Sequence, residues 1–131
     1  MTAPKKLHEL TDLQLAVLGV LWDRGETTAN DVHAALFAST RLARGTIGTL
    51  LHRLERQRVV AHRVDGREFL YRAIADRESV RAARVSGLVG GLFGGDLTAM
   101  VSFAVSADDV SKGDVERLRA LLKTHSRRRP R

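Results

Sequence analysis

Apolar residues recur at helical spacing in the first part of the chain, and each segment carries its own start and stop signals. The first helix is predicted to begin at Thr11, because Thr11 and Gln14 have the spacing of a capping box. It is predicted to end at Gly25, since glycine readily adopts the backbone conformation that closes a helix. A second helix is predicted from Thr28, with an apolar stripe that ends near Phe37.

A polar connection over residues 38–41 leads to a third predicted helix, from about Ala43, with two unlike faces. The apolar stripe is formed by Ile47, Leu50, Leu51 and Leu54, and the polar face by Thr46, Thr49, Arg53 and Arg56. Hydroxyls and guanidiniums are the groups that reach phosphates and base edges. The polar face is therefore predicted to read nucleic acid, and simple solvation of an exposed helix face is the alternative.

Two predicted strands, residues 59–64 and 67–72, follow the third helix. Asp65-Gly66 lies between them and favours a type I′ turn, in which both central residues have positive φ. Helices followed by a basic hairpin form the outline of a winged helix. Residues 1–75 are therefore predicted to be a winged helix-turn-helix DNA-binding domain in a mainly α fold with a small β-hairpin wing.

The Asp65-Gly66 turn also predicts a register for the hairpin. Arg63 then lies opposite Glu68, while Phe69 and Tyr71 share a face that is predicted to pack into the core. Arg67 lies next to the turn and is the better candidate for a phosphate contact.

From Asp76 the chain changes to longer helical patterns, interrupted at Gly94-Gly95. These helices have apolar faces but too few residues to enclose a core alone, so residues 76–125 are predicted to form a dimerisation region. Its predicted contact residues are Leu88, Leu92, Phe93, Leu97, Met100, Val101, Leu118 and Leu122. Residues 126–131 are predicted to be a basic flexible tail.

Gly87, Gly91 and Gly95 recur every four residues in the first of these helices. On a helix such spacing makes a smooth groove that permits close approach of a partner backbone. The alternative is a helix weakened by about 1 kcal/mol for each glycine.

Composition narrows the function classes. The net charge of +7 and the isoelectric point near 11 favour a polyanionic partner, with nucleic acid ahead of acidic proteins or membranes. The absence of cysteine excludes disulfides and thiolate metal sites, and no apolar run long enough to span a bilayer is present. We expect a cytoplasmic protein with no stable membrane association.

Candidate catalytic and metal sites are missing from the sequence. The five histidines are widely separated, and none lies in a motif that would place two ligands on one metal. No nucleophile elbow, P-loop or dinucleotide fingerprint occurs in a strand-to-helix setting. We therefore expect neither an enzyme nor a bound cofactor or metal.

Several short motifs, in their order and spacing, resemble the penicillinase repressor family (BlaI/MecI/CopY type). They are Leu10-Thr11-Asp12-Leu13-Gln14, Val20-Leu21-Trp22, Thr46-Ile47, Thr49-Leu50-Leu51, Arg53-Leu54, Gly66-Arg67, Tyr71-Arg72, Leu92-Phe93-Gly94-Gly95-Asp96 and Glu116-Arg117-Leu118-Arg119. The resemblance runs from about Leu10 to Leu122. It implies a homodimeric winged-helix repressor that binds an inverted-repeat operator and controls resistance or stress-response genes, such as those of β-lactam resistance.

The resemblance also carries residue roles. Thr46, Thr49 and Arg53 match positions where the family's recognition helix meets DNA, whereas Gly45 and Gly48 replace larger, often basic, side chains. Some members are induced when a membrane sensor protease cleaves the dimerisation region before a phenylalanine.

Ser102-Phe103 aligns with that cleavage site, although serine replaces the family's usual asparagine. A dimer-core role for Phe103 is the alternative. Copper-responsive relatives carry C-terminal cysteines, which this chain lacks, so the resemblance does not imply copper sensing.

Together these observations predict a repressor that binds double-stranded operator DNA as a homodimer. The predicted DNA contacts are Arg44, Thr46, Thr49, Arg53, Arg63 and Arg67. The alternative function is a winged-helix module that binds proteins and uses its basic charge only for solubility.

Overall fold

The computed structural model describes residues 7–107 and 110–128. In this part of the chain the elements are a 3-10 turn (Leu7–Glu9), α1 (Asp12–Arg24), α2 (Ala29–Thr40), α3 (Arg44–Arg56), β1 (Val60–Asp65), β2 (Glu68–Ala73), α4 (Arg77–Phe93), α5 (Leu97–Val105) and α6 (Lys112–Arg128). The antiparallel pair of β1 and β2 is the predicted hairpin. This order confirms the predicted mainly α fold with a small β-hairpin.

Local capping sets the ends of α1. The Thr11 hydroxyl accepts a hydrogen bond from the Gln14 backbone N–H at 3.1 Å, and the Gln14 side-chain oxygen accepts one from the Thr11 N–H at 2.9 Å. Gly25 ends the helix at φ 77° and donates its N–H to the Leu21 carbonyl. A cap of this kind contributes about 1 kcal/mol, so the predicted start and stop signals of α1 are both confirmed.

One hydrophobic core holds the first three helices and the hairpin together. Its buried members are Leu10, Val17, Leu18, Val20, Leu21, Ala29, Val32, Ile47, Leu51, Leu54, Val59, Val60, Tyr71 and Val80. Ile47, Leu51 and Leu54 are 0% exposed, so the predicted apolar stripe of α3 faces inward. The Trp22 indole N–H donates to the Ala75 carbonyl at 2.9 Å and ties α1 to the start of α4.

The second helix is longer than the sequence predicted. The Ser39 and Thr40 hydroxyls both donate to the Leu36 carbonyl, so residues expected in a polar connection extend α2 to Thr40. Arg41 then ends the helix in the left-handed conformation at φ 57°, and its guanidinium lies 5.2 Å from the centre of the Phe37 ring. The connection between α2 and α3 is therefore only residues 41–43.

The predicted hairpin register was wrong, because the turn lies one residue later and each cross-strand partner is displaced by two residues. Asp65 pairs with Glu68, so Gly66 and Arg67 form the turn, and Gly66 has positive φ (66°) whereas Asp65 does not. A glycine at the first central position is the pattern of a type II′ turn rather than type I′. Arg63 consequently faces Leu70, and the predicted opposition of Arg63 and Glu68 does not occur.

The two aromatic side chains of β2 have different environments. Tyr71 is 8% exposed and belongs to the core, as predicted, whereas Phe69 is 47% exposed. The Phe69 ring stacks on His62 with centroids 4.1 Å apart instead of entering the core.

Contacts divide the chain into two compact units, one up to Leu88 and one from Val89. The predicted boundary was at residue 75. The first half of α4 belongs to the first unit because Val80 is buried in its core and the Arg84 guanidinium donates to the Leu10 carbonyl.

Short caps also begin the helices of the second unit. The Asp96 carboxylate accepts the Ala99 N–H at 3.0 Å, and Ser111 and Asp114 form a reciprocal pair at 3.1 Å in each direction. The last helix continues to Arg128, so residues 126–128 of the predicted tail are helical, and residues 129–131 lie outside the described residues. None of the described side chains after Val80 is buried.

The glycine repeat in α4 does not form a continuous groove. A Cβ at Gly87 would lie 2.6 Å from the Cβ of His8, so this glycine permits close packing of the 3-10 turn. Gly95 lies beyond the end of α4 at φ 88°, so of the three glycines in the repeat only Gly91 lies in the helix with open space around it.

Within the described ranges, none of the helices is long and apolar enough by itself to cross a membrane. The helices α4 and α5 reach the length and apolar composition of a membrane span only when they are counted together, and the chain bends between them.

Truncation of the buried stripe should destabilise the fold. We expect Leu51→Ala to lower the free energy of unfolding by about 2–5 kcal/mol, because the lost contacts leave a cavity in a filled core. His52→Ala, on the exposed face one residue away, should change it by less than about 0.5 kcal/mol. Urea unfolding followed by circular dichroism measures both, and equal effects would contradict the observed orientation of α3.

Candidate nucleic-acid interface

The polar face of α3 is open to solvent. Thr46, Thr49 and Arg53 are exposed on the side of the helix away from the buried stripe, and Arg44 is exposed at the first position of the helix. The Thr49 hydroxyl donates to the Gly45 carbonyl at 3.1 Å, which fixes its orientation and leaves its oxygen free to accept. The structure thus brings four of the six predicted DNA contacts together on one helix.

Acidic partners are distributed unevenly among the arginines. On α4, Arg77 pairs with Asp23 at 2.6 Å, Arg81 with Glu78 at 3.0 Å and Arg84 with Asp12 at 3.3 Å. Arg44, Arg53 and Arg67 have no acidic partner among the described residues. Uncompensated positive charge is therefore present on α3 and at the hairpin turn.

Arg63 differs from the other predicted contacts, because a carboxylate already holds it. Its guanidinium donates two hydrogen bonds to Glu26, at 2.8 and 2.9 Å. The hydrogen bond from Arg63 is the main cause that lowers the pKa of Glu26, and the same bond raises the pKa of Arg63. Glu26 precedes α2, so this pair ties the hairpin to the helical part of the fold.

A backbone bridge and a side-chain pair join the hairpin to the helices. Thr27 and Tyr71 exchange backbone hydrogen bonds at 2.9 and 3.0 Å, which form an isolated antiparallel bridge beside β2. His62 on β1 contacts the Glu55 carboxylate of α3 through Nδ1 at 2.5 Å. Burial raises the pKa of Tyr71, and the nearby Glu55 charge adds to that shift. The hairpin and α3 are therefore held as one surface.

Sequence reasoning missed this role of His62. Its ring contacts both Phe69 and Tyr71, with centroids 4.1 and 5.6 Å away. The position of His62 two residues after Val60 on β1 was a usable signal for its inward orientation, since both residues point to the same face of the hairpin.

A polar groove of about 370 Å³ separates α3 from the hairpin. It is lined by Thr28, Ala29, Asn30, Arg44, Gly48, Arg67, Glu68, Phe69 and Tyr71. The Arg44 Nε–H donates to the side-chain oxygen of Asn30, a contact between two helices that no sequence motif indicated. Two guanidiniums without acidic partners, Arg44 and Arg67, thus flank one groove.

In the described part of the chain, no three histidine, aspartate or glutamate side chains lie close enough together to hold a metal ion. What the site offers chemically is a row of hydrogen-bond donors and positive charges.

The fold and this surface define a winged helix-turn-helix protein of the DNA-binding class. The sequence profile of the penicillinase repressor family matches residues 10–124. The chain belongs to that family, whose characterised relatives are DNA-binding transcriptional repressors.

The chain is similar to characterised proteins in both sequence and structure. The penicillinase repressor of Bacillus licheniformis is 26% identical over 125 residues, which are 95% of this chain and 98% of the relative. The solution structure of the DNA binding domain of the repressor BlaI matches with a TM-score of 0.50 and 30% identity, over 56% of this chain and 89% of that domain. A mutant of S. aureus MepR bound to an oligodeoxyribonucleotide shares the fold with a TM-score of 0.51 and 23% identity, over 89% of this chain and 78% of MepR.

The ion pair between Arg63 and Glu26 gives a pH-dependent prediction. Because the folded state lowers the pKa of Glu26, the pair contributes stability above the unfolded pKa of the carboxyl group. That contribution should be lost as the pH falls through the folded pKa. In an NMR titration of the side-chain carboxyl, Arg63→Gln should raise the pKa of Glu26 towards its ordinary value, whereas Arg81→Gln should leave it unchanged. If the pKa of Glu26 is unchanged in Arg63→Gln, the pair does not form in solution.

Proposed function

We propose that this chain is a homodimeric transcriptional repressor that binds an inverted-repeat operator, with the two α3 helices in successive major grooves. The observation that carries the proposal is the exposed Thr and Arg face of α3, fixed outward by its buried stripe and joined to a hairpin with an unpaired arginine. In helix-turn-helix recognition, the N-terminal residues of the second motif helix contact base edges.

Within this interface the side chains divide by chemistry. Arg53 and Arg67 are exposed cations that suit phosphate oxygens, and such contacts supply affinity without reading sequence. Thr46 and Thr49 offer hydroxyls and methyl groups, which discriminate between base edges in the major groove. Arg63 contributes only by exchanging Glu26 for a phosphate, so it is the weakest of the predicted contacts.

The second unit supports a dimer because its apolar side chains are left uncovered. Leu92 is 70% exposed and Leu122 is 64% exposed, and each Leu buried by a partner would contribute about 1.5–3 kcal/mol. Between α5 and α6 an apolar groove of about 440 Å³ is lined mainly by Met100, Val101, Ala104, Val105, Val110, Leu118 and Leu121. A leucine of a second copy has the size and polarity to fill it.

The proposed control of resistance or stress-response genes is supported by the similarity to the relative from Bacillus licheniformis, which is a penicillinase repressor. Release by a membrane sensor protease at Ser102-Phe103 belongs to the same proposal. Phe103 is 74% exposed, but the Ser102 carbonyl accepts hydrogen bonds from the Ser106 N–H and hydroxyl, so α5 must open locally before this bond can be cleaved.

Removal of the unpaired arginines tests DNA binding. Arg53→Ala and Arg67→Ala should each weaken retention of the chain's own upstream DNA in gel shifts, because each removes a phosphate contact. Each should also reduce the slope of log affinity against log salt by about 0.9 for each phosphate lost. Arg81→Ala is the matched control, since this arginine is exposed and paired on α4.

Equal effects of all three substitutions would contradict the assignment of the surface. No retention of upstream DNA by the wild type, against excess competitor DNA at physiological salt, would favour the alternative of a protein-interaction module.

A charge in the apolar surface of the second unit tests the dimer. Leu122→Glu should shift the chain towards monomers in sedimentation velocity, because it would place an unpaired carboxylate in the interface. Lys123→Glu, a neighbouring charge change, should keep the dimer. Operator affinity should fall only for Leu122→Glu, and a wild type that sediments as a monomer at concentrations that saturate the operator would refute the proposed assembly.

A further inference from the structure

Of the three arginines in α3, all within the residues that the structure describes, only Arg44 has a guanidinium that is held by a side chain of another helix. Its Nε–H donates to the Asn30 oxygen at the start of α2. Its Nη1 atom lies 3.4 Å from the position that a Cβ on Gly48 would occupy. The side chain therefore runs along the wing-facing side of α3 and across the bare surface of Gly48.

This arrangement offers a reason for a glycine at position 48. A glycine inside a helix costs about 1 kcal/mol relative to alanine, so its presence in α3 needs a compensating reason. A larger side chain at this position would compete with the Arg44 guanidinium for the same space. On the other side of the groove, the hairpin brings Tyr71 close enough for the Arg44 charge to act on its pKa, in the direction that lowers it.

Holding the guanidinium in place changes what it can recognise. Asn30 uses only Nε–H, which leaves the four N–H donors on Nη1 and Nη2, and no carboxylate among the described residues pairs with them. A freely moving arginine binds phosphates in many geometries. An arginine with a fixed fork favours one bidentate acceptor, and in the major groove that acceptor is the N7 and O6 edge of guanine.

We propose that Asn30 is a positioning residue that holds Arg44 across Gly48 so that Arg44 reads one guanine in each operator half-site. The inference rests on the proposed function, since it assigns base specificity to the same surface. Arg44 lies in the first turn of α3, the part of a recognition helix that reaches base edges. Asn30 itself contacts no base and acts through Arg44.

The test is a double-mutant cycle on full-length protein, with operator DNA in which each base pair of the half-site is substituted in turn. Wild type should show one guanine whose replacement lowers affinity roughly tenfold or more. Asn30→Ala should remove most of that preference while the salt slope stays unchanged, because no charge is lost. Arg44→Lys should also remove it, and Asn30→Ala added to Arg44→Lys should have no further effect.

Asn30→Asp separates position from charge. The aspartate should still hold Arg44, so the guanine preference should remain, but overall affinity and the salt slope should fall because the pair is neutral. In the free protein, the Arg44 Nε–H resonance in NMR spectra should move in Asn30→Ala, and circular dichroism should confirm that the fold is intact.

Three results would overturn the positioning role. One is an unchanged base preference in Asn30→Ala, and another is independent losses from Asn30→Ala and Arg44→Lys. The third is a loss in Arg44→Ala that is uniform across all sequences and lowers the salt slope by about 0.9, which would make Arg44 a phosphate contact. These results leave operator binding intact, whereas a wild type that does not distinguish the operator from competitor DNA would overturn the proposed function as well.

Discussion

Burial of the α3 stripe is the constraint on which the rest of this surface depends. Ile47, Leu51 and Leu54 are completely enclosed, and successive residues of a helix are rotated by about 100° around its axis. Turning α3 by a single residue would therefore expose leucines and bury Thr49 or Arg53 without partners, at a cost of several kcal/mol. The outward direction of the polar face is thus a consequence of core packing, and does not require DNA to be present.

The distribution of compensated charge adds information that the net charge of +7 lacks. Exposed ion pairs contribute little to stability, so the pairing of α4 arginines with Asp12, Asp23 and Glu78 is not needed to hold the fold. What the pairs do is cancel the positive potential on that part of the surface. Since Arg44, Arg53 and Arg67 have no acidic partner among the described residues, their charges remain available to attract a polyanion.

Signals within about four residues of each other were sufficient to predict the start and end of α1 and the starts of α2 and α3. Thr11 with Gln14, Asp96 before α5 and Ser111 with Asp114 are caps that form within a single turn, so the sequence alone indicates them. The hairpin register could not be predicted in the same way, because Asp-Gly is compatible with two turn types and the choice is made together with distant contacts. The Arg63 pair with Glu26 and the Arg44 contact with Asn30 likewise join residues that are far apart in the chain, so the refined site required the fold.

The two units differ in how their stability can arise. The first has a filled core of its own, whereas no described side chain of the second is buried, so the apolar surface of α5 and α6 must be covered from outside to contribute to folding. If a second copy covers it, formation of this unit is linked to dimerisation by mass action. Operator affinity then depends on protein concentration through the second unit, while base preference depends only on the first unit. Under the proposed function, any event that opens α5 would weaken repression by separating the first units of the two copies, without altering the proposed operator surface.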